Sequence, residues 1–246
     1  MRNNEELMSQ SELLRFEDDG KLAQAAAEQW VDQLQKLASK SNRYCVALSG
    51  GRIARRFFES VVTEAKYRAL PLGSIHFFWG DERCVPPTDS ESNFAAAHEL
   101  LLAPLGILAE NIHRIRGEEP PETASIEAEA ELCKTATSNR SGQPMLEMIF
   151  LGLGEDGHIA SLFPGESEEL ITDGRIYRPI IATKPPPHRI TLGYSTIAAA
   201  KEVWVLASGS GKERALRDSL GAGGCTPLAR VLRLRRQTKI FTDIDA

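Results

Sequence analysis

Apolar residues along the chain follow two patterns, short continuous runs and longer stretches with helical spacing. The short runs are rich in β-branched and aromatic residues and predict strands, several of them buried on both faces. Strands are expected at residues 44–48, 74–79, 112–115, 145–151, 176–182, 189–192, 202–207 and 239–242, the last of them closing the sheet.

Helical periodicity fills the segments between these runs. Leu22, Ala26, Trp30, Leu34 and Leu37 lie on one face of an amphipathic helix expected at residues 20–39. Further helices are expected at residues 52–65, 124–137 and 226–232. A capping box at Thr88 and Glu91 is expected to start another helix, which runs through Asn93 to Leu102. Strands and helices in alternation predict an α/β fold with a mostly parallel central sheet and helices on both faces.

Composition narrows the class of protein without changing this picture. At 246 residues, 42% of them hydrophobic, the chain has the length and core of one α/β domain, so we expect a single domain at 1–246. Residues 104–145 are a candidate for a small covering subdomain within it. A formal net charge of −5 disfavours nucleic acid as a partner, and an anionic ligand would need a local basic pocket.

The cysteine spacing and the hydropathy indicate the compartment. The four cysteines are far apart and form no C-x-x-C pair, so neither a zinc knuckle nor a disulfide framework is expected, and reduced thiols fit a cytoplasmic protein. The chain starts with a polar, acidic segment, and no run approaches the ~20 apolar residues of a membrane helix. We therefore expect no membrane partner. The sequence leaves the oligomeric state open, with a monomer favoured.

The candidate chemistry centres on the loop after the strand at 145–151. Gly152, Gly154 and Gly157 allow tight turns and close approach of the backbone to a ligand, at the carboxyl end of a strand where α/β proteins bind ligands. The loop also carries Asp156 and His158. Because an imidazole titrates near neutrality, His158 is a candidate proton acceptor, and Asp156 is a candidate to hold its ring.

Two other interpretations of this loop remain open. Gly152, Gly154 and Gly157 match the G-x-G-x-x-G fingerprint of dinucleotide-binding proteins. That fingerprint needs a full crossover helix behind it, and Pro164-Gly165 would end any helix here after about two turns. The glycines could also form a purely structural turn.

A second turn predicts a phosphate site. Ser49, Gly50 and Gly51 lead from a strand into a helix, and free amides at a helix start form a cradle for phosphate. Arg52 adds a cation that can bind phosphate through two donors. The same turn is one residue short of the G-x-S-x-G nucleophile elbow of serine hydrolases, but it follows the first predicted strand, and no histidine lies after His188.

Charged residues follow three further strands. Asp81, Glu82 and Arg83 come directly after the strand at 74–79, and such charges are costly to bury unless they pair with each other or with a ligand. Arg189 lies at the mouth of another strand. Lys212 ends a glycine-rich loop that resembles a Walker A motif only superficially, yet it can reach phosphate from a helix start.

Taken together, four motifs resemble those of 6-phosphogluconolactonases. They are Ser49-Gly50-Gly51, Asp81-Glu82-Arg83-x-Val85-Pro86 with Ser92-Asn93, the block from Gly152 through Asp156-Gly157-His158 to Gly165, and Lys184-Pro-Pro-x-x-Arg189-Ile190-Thr191. The resemblance covers most of the chain. One departure bears on the site, because Arg52 stands where the family usually has a hydroxyl residue, so that a guanidinium takes its place.

The resemblance implies both a fold and an activity. The fold would be a Rossmann-like three-layer sandwich, shared with glucosamine-6-phosphate deaminases. The activity would be hydrolysis of 6-phospho-D-glucono-1,5-lactone in the oxidative pentose phosphate pathway, without a metal or other cofactor. His158 would be the general base, with Arg83, Arg189 and Lys212 as substrate and phosphate contacts.

The site expected from the residues and the resemblance together consists of two sets. The catalytic set is His158, Asp156 and Arg83. The substrate- and phosphate-binding set is Ser49, Gly50, Gly51, Arg52, Asp81, Arg189, Lys212, Gly154 and Gly157. Two alternatives stay open: an isomerase or deaminase of amino-sugar phosphates with the same fold, and a non-catalytic protein that binds sugar phosphates.

Overall fold

The computed structural model describes residues 10–37 and 43–245. The strands are β1 (Gln10–Arg15), β2 (Tyr44–Leu48), β3 (Ile75–Trp79), β4 (Asp81–Arg83), β5 (Thr137–Ser138), β6 (Pro144–Met145), β7 (Met148–Gly152), β8 (Tyr177–Ile181), β9 (His188–Leu192), β10 (Glu202–Ala207) and β11 (Gln237–Thr242). The α-helices are α1 (Asp19–Leu37), α2 (Arg52–Tyr67), α3 (Asn93–Ala97), α4 (Pro121–Thr135), α5 (Glu168–Ile171), α6 (Tyr194–Ala199), α7 (Glu213–Leu220) and α8 (Pro227–Leu234). A π-helical turn, His98–Leu102, follows α3, and Ala109–Asn111 forms a 3₁₀ turn.

Six parallel strands form the central sheet in the order β1-β11-β10-β7-β2-β3. Successive residues of β7 and β10 point to opposite faces, and both sets are buried, so both faces of the sheet are covered. The continuous apolar runs that predicted these strands reflect this double burial. The predicted α/β fold with a mostly parallel sheet is therefore confirmed.

Aromatic side chains join one face of the sheet to the first two helices. Trp30 of α1 lies with its ring centroid 5.0 Å from that of Phe150 on β7, and Phe57 of α2 lies 4.6 Å from Phe150. The predicted core residues Leu22, Ala26, Trp30 and Leu34 are buried. The side chain of Leu37 and the predicted end of that helix at residue 39 lie outside the described residues. Each large side chain buried in this way contributes roughly 1.5–3 kcal/mol.

A second, antiparallel sheet consists of β4, β9 and β8 in that order. The strands predicted at 176–182 and 189–192 belong to it rather than to the central sheet. Only six residues connect β8 to β9, residues 182–187, which is enough for a hairpin but too short for a parallel crossover. The charged residues Asp81–Arg83 form the third strand, whereas the sequence predicted only a charged segment directly after the strand at 74–79.

Several predicted elements differ in detail. The strand expected at residues 239–242 does not close the sheet, because the unpredicted β1 pairs with it on its outer side. The segment expected as a strand at 112–115 makes only one bridge, from Ile112 to Phe77. The strand expected from residue 145 begins at Met148, since Pro144–Met145 pairs with Thr137–Ser138 instead.

Within residues 10–37 and 43–245, no helix combines the length and apolar composition that crossing a membrane requires.

Candidate active site

The turns after β2, β7 and β10 meet at the carboxyl edge of the central sheet, where they form a cleft. Its empty volume is about 600 Å³, a figure that includes space open to solvent. The cleft is lined by Ser49, Gly50, Gly51, Arg52, Ile53, Asp81, Arg83, Asn93, Gly152, Leu153, Gly154, His158, Ala160, Arg189, Ser208 and Lys212. Of the residues predicted for the site, only Asp156 and Gly157 do not line it.

His158 and Asp156 form a hydrogen-bonded pair at the cleft wall. His158 Nδ1 lies 2.5 Å from Asp156 Oδ1, which also accepts a hydrogen bond of 3.1 Å from the His158 backbone N–H. Burial alone would raise the pKa of Asp156, but the hydrogen bonds from His158 outweigh it and lower the pKa below its usual value. An ionised carboxylate can only accept, so the imidazole carries its proton on Nδ1 and keeps a free lone pair on Nε2. Nε2 makes no hydrogen bond to any described residue.

The glycines before His158 make room for its ring. A Cβ on Gly154 would lie 2.0 Å from His158 Nδ1, and the Gly154 N–H donates to the His158 carbonyl at 2.9 Å. Gly157 has a φ of +84° and faces Thr226, whose Cγ2 would lie 2.6 Å from an added Cβ. These positions therefore require glycine for packing and turn geometry.

Nothing in this loop supports the dinucleotide interpretation. The chain after His158 forms turns with one bridge between Ile159 and Leu162, and the next helix, α5, begins only at Glu168. The sequence allowed about two helical turns before Pro164, and none forms. The crossover helix that would present its N-terminus to a pyrophosphate is therefore absent from residues 158–166.

The turn after β2 presents the start of α2 to the cleft. Gly51, with a φ of +99°, is the N-cap residue of α2 and offers no side chain to its first-turn amides, so these remain available to an anion. Gly50 lies against Asn93, because a Cβ there would be 1.8 Å from Asn93 Oδ1. The Ser49 hydroxyl donates to the Phe150 carbonyl at 2.8 Å, so its proton is already used. This bond, and the lack of any contact with His158, exclude Ser49 as an activated nucleophile in the described arrangement.

Two arginines approach the cleft from the second sheet. Arg83 on β4 stands directly opposite Arg189 on β9, and like charges in such a pair repel each other. Burial first, and then Arg83, lower the pKa of Arg189. Arg189 donates to the carbonyls of Pro186 and Lys184 at 3.0 and 3.3 Å, and lies 5.7 Å from the ring centroid of Phe163. Arg83 Nε is buried without a hydrogen-bond partner among the described residues, which suits a group that awaits an anionic ligand.

A second pair of cations lies where α2 and α7 begin. Burial lowers the pKa of Lys212, and Arg52 lowers it further, so these two side chains act on each other. Arg52 packs on the loop before α7, since a Cβ on Gly209 would lie 2.1 Å from Arg52 Nη2. The cleft thus collects four cations and one carboxylate, Asp81, in a chain whose net charge is −5.

A buried polar network behind the cleft holds β4 and α3 together. The Glu82 carboxylate accepts hydrogen bonds from the backbone amides of Arg83, Asn93 and Phe94, each at 2.7 Å, and from the Ser92 hydroxyl at 3.0 Å. Burial nevertheless raises the pKa of Glu82. Asn93 Nδ2 in turn donates to the Asp81 carbonyl at 2.9 Å.

Asp81 is fixed from a second side. Its Oδ2 accepts a hydrogen bond of 2.6 Å from the Ser161 hydroxyl, and its side chain is 4% exposed. A carboxylate held in this way at a cleft can accept hydrogen bonds from ligand hydroxyls.

The lining also includes residues that the sequence analysis did not assign to the site. These are Ile53, Asn93, Gly152, Leu153, Ala160 and Ser208. Asn93, Gly152, Leu153 and Ala160 lie inside the recognised motifs, and Ser208 starts the predicted glycine loop, so the signal was present for these five. Among residues 10–37 and 43–245, no group of three or more His, Cys, Asp or Glu side chains is placed to hold a metal ion.

Comparison with known proteins gives consistent matches over most of the chain. A family model described as glucosamine-6-phosphate isomerases/6-phosphogluconolactonase matches residues 17–241. A 6-phosphogluconolactonase from Treponema pallidum is 38% identical over 188 residues, 76% of this chain and 74% of that protein. One from Streptomyces coelicolor is 30% identical over 242 residues, 96% of this chain and 93% of that protein. The solved structure of the Trypanosoma brucei 6-phosphogluconolactonase superposes with a TM-score of 0.84 at 25% identity, covering 95% of this chain and 96% of that one.

Proposed function

The chain belongs to the family of glucosamine-6-phosphate isomerases and 6-phosphogluconolactonases, and from this premise we propose that it hydrolyses 6-phospho-D-glucono-1,5-lactone to 6-phospho-D-gluconate. This is the lactone-opening step of the oxidative pentose phosphate pathway. The observation that carries the proposal is the His158–Asp156 pair at the wall of a cleft lined by four cationic side chains.

In the proposed reaction, His158 acts as the general base. Its Nε2 takes a proton from a water molecule whose oxygen attacks the lactone carbonyl carbon, which is already electrophilic. The tetrahedral intermediate then collapses, the bond to the ring oxygen breaks, and the imidazolium returns its proton to that oxygen. Such proton transfer contributes roughly 10²–10⁴-fold to the rate. The reaction consumes only substrate and water, so it needs no cofactor.

The developing negative charge on the carbonyl oxygen requires donors that are already in place. Arg83, with its unpaired Nε, is the proposed donor. The backbone amides of Gly154 and Gly157 already donate to the carbonyls of His158 and Gly154. Preorganised donors of this kind lower the barrier because they need no reorientation during the reaction, and they are often the largest single contribution.

The phosphate group anchors the sugar in this proposal. Arg189, Lys212 and Arg52 supply charge, and the amides at the start of α2, after Ser49, Gly50 and Gly51, supply further donors. Asp81 accepts hydrogen bonds from sugar hydroxyls. The binding energy of the phosphate is thereby used to orient the lactone carbonyl toward His158.

An assay on the purified protein tests the proposal against its two alternatives. Hydrolysis of 6-phosphogluconolactone is followed by proton release at a pH where spontaneous ring opening is slow, and turnover well above the spontaneous rate is expected. Glucosamine 6-phosphate serves as the second substrate, and ammonia release from it would identify a deaminase instead. A thermal shift with 6-phosphogluconate in the absence of any turnover would identify a non-catalytic sugar-phosphate-binding protein.

We also propose that the protein acts in the cytoplasm as a monomer on this small-molecule substrate, without nucleic acid or membrane partners. All four cysteines are free thiols, which fits a reducing compartment. One chain by itself supplies the proposed base and all four cations of the cleft, so the proposed chemistry calls for no residue from a second copy. Light scattering after size-exclusion chromatography at assay concentration measures the mass directly.

A further inference from the structure

The loop that precedes Lys212 has little rigidity of its own. Residues 208–211 and the N-cap residue Lys212 connect β10 to α7, and both Gly209 and Gly211 have positive φ, +98° and +87°. Glycine is the residue that loses the most conformational freedom on folding, so a loop built on two of them must be fixed by contacts from elsewhere. The position of this loop matters, because it carries Lys212 and packs against Arg52.

Asp243, in the segment after β11, makes those contacts. One carboxylate oxygen, Oδ2, accepts a hydrogen bond of 2.8 Å from the Ser208 hydroxyl, and the other, Oδ1, accepts one of 3.0 Å from the Gly209 N–H. Ser208 is only 2% exposed, so the first of these bonds is shielded from water. Hydrogen bonds to an ionised acceptor are stronger than neutral ones, and this carboxylate holds the side chain of one loop residue and the backbone amide of the next.

The charge of Asp243 also acts on the cleft. Burial and Arg52 lower the pKa of Lys212, whereas Glu155 and Asp243 act in the opposite direction. Asp243 therefore offsets part of the repulsion between two cations that the fold brings together. It does so without lining the cleft, so it does not occupy the place of a bound anion there.

We propose that Asp243 is a positioning residue for the phosphate end of the cleft: its carboxylate fixes the 208–211 loop so that Lys212 and Arg52 converge on one phosphate group. Asp243 holds the Gly209 backbone, and the guanidinium of Arg52 packs against Gly209. The same loop continues to Lys212, so its position also sets the position of that residue. The inference rests on the proposed function, because it takes the anion at these cations to be the phosphate of the substrate. It predicts that Asp243 matters only for ligands that carry this phosphate.

Asp243→Asn tests the inference with a matched pair of substrates. The substitution keeps the shape but replaces one acceptor oxygen with a donor amide and removes the charge. For 6-phosphogluconolactone we expect kcat/KM to fall about tenfold, mostly through a higher KM, which corresponds to the loss of one charge-assisted hydrogen bond. For glucono-1,5-lactone, which lacks the phosphate, we expect kcat/KM to stay within about twofold of wild type.

Two further variants keep the test decisive. Asp245→Asn makes the same chemical change at an exposed position two residues on, and it should leave both substrates unaffected. Ser208→Ala removes only one of the two hydrogen bonds, and about a threefold loss on the phosphorylated substrate alone is expected. It stands in for Asp243→Asn if that variant does not fold. Equal losses on both lactones, or no loss on either, would overturn the inference.

A binding measurement separates this inference from the proposed function. Titration calorimetry compares 6-phosphogluconate with gluconate in the wild type and in Asp243→Asn. If Asp243→Asn weakens the binding of 6-phosphogluconate but not of gluconate, the role of Asp243 is supported, even if the wild type hydrolyses neither lactone. Absence of hydrolysis would contradict only the proposed function. Unchanged binding of 6-phosphogluconate would overturn the role of Asp243 whatever the assay shows.

Discussion

At the scale of single residues, the described structure explains why glycine occupies several positions, because a side chain there would clash with a neighbouring residue. Gly154 does not have a positive φ, so the backbone conformation does not require glycine there. Glycine is required because the imidazole of His158 occupies the space that a Cβ would fill. Gly50 is constrained in the same way by Asn93. Sequence reasoning recognised these glycines as turn and ligand-approach positions, whereas the contacts that fix them are visible only in three dimensions.

The first prediction at this scale concerns the partner of His158. Asp156→Asn offers the ring either an acceptor or a donor, so Nδ1 is no longer held in its protonated form. We expect kcat for 6-phosphogluconolactone to fall roughly 10²-fold or more while KM changes little, because the substrate contacts are intact. The control is Asp218→Asn, which changes an exposed carboxylate of α7 outside the cleft lining. A change confined to KM would contradict the orienting role.

The second prediction concerns the residue that departs from the related family. Arg52→Ala removes one cation from the proposed phosphate end but touches no group that transfers a proton. KM should therefore rise by about tenfold, the value of one charge-assisted contact, and kcat should fall by less. Arg140→Ala, at an exposed arginine outside the cleft lining, should behave as wild type. An unchanged KM in Arg52→Ala would remove this residue from the phosphate site.

At the scale of elements, the sequence predicted the doubly buried strands well and the partly buried ones poorly. β2 has the predicted bounds because a continuous apolar run has a single plausible environment, the middle of a parallel sheet. β4 was missed because its residues, Asp81–Arg83, are charged, and their burial depends on Ser161, Asn93 and a helix start elsewhere in the chain. No local sequence pattern indicates hydrogen-bond partners that lie so far away along the chain.

The start of α3 illustrates the same limit. The pattern of Thr88 and Glu91 matches a capping box, yet the helix begins at Asn93, with Ser92 as its N-cap residue. The Ser92 hydroxyl accepts from the Ala95 amide, and Glu82 from β4 takes two further first-turn amides. Ser92 and the distant Glu82 carboxylate therefore cap this helix in place of the pair Thr88 and Glu91, and sequence alone could not choose between the two arrangements.

An element-scale prediction concerns the edge of the central sheet. His76 on β3 lies 2.9 Å from His113, measured Nδ1 to Nε2, and His113 Nδ1 lies 3.1 Å from Glu131 of α4. Burial lowers the pKa of both histidines. As pH falls below the ordinary imidazole value of about 6.5, the unfolded chain therefore takes up protons that the folded protein resists, and the free energy of unfolding must decrease.

Urea unfolding at pH 7.5 and 5.5 measures this effect. We expect the wild type to lose more stability over this interval than His113→Gln, which is less stable at pH 7.5 but lacks one of the two titrating groups. His188→Gln, at an exposed histidine of β9, should keep the wild-type pH dependence. A slope in His113→Gln equal to that of the wild type would show that the histidine pair does not govern stability in this range.

At the scale of the whole molecule, the proposed single domain has one contiguous core. Ala124 and Leu132 of α4, inside the segment considered as a covering subdomain, belong to the same buried cluster as the strands of the central sheet. We therefore propose that residues 104–145 are part of one cooperative unit. Cooperative unfolding follows from such shared burial, since neither part keeps its core when the other opens.

Two probes of unfolding test this proposal. Trp30, Trp79 and Trp204 are all buried, so tryptophan fluorescence reports on the central core, while far-ultraviolet circular dichroism reports on all helices, α4 included. Coincident urea transitions are expected from the two probes. A transition in circular dichroism that precedes the fluorescence change would indicate an independently unfolding subdomain.

The charge distribution of the molecule also favours the proposed substrate. Four cations converge on the cleft of a protein with a net charge of −5, so the surface as a whole does not attract anions, but the cleft does. The cations come from the starts of α2 and α7 and from two strands of the small sheet, which only the folded chain brings together. The sequence identified these four residues one by one, whereas their convergence on one cleft had to be inferred from the expected parallel sheet.

The most direct test of the central claim is the lactonase activity of His158→Ala. We expect kcat for 6-phosphogluconolactone to drop by about 10²–10⁴-fold, with 6-phosphogluconate binding and the melting temperature close to wild type. His188→Ala, which removes an exposed imidazole, should retain full activity. Near-wild-type turnover by folded His158→Ala protein would contradict the assignment of this imidazole as the base that activates water.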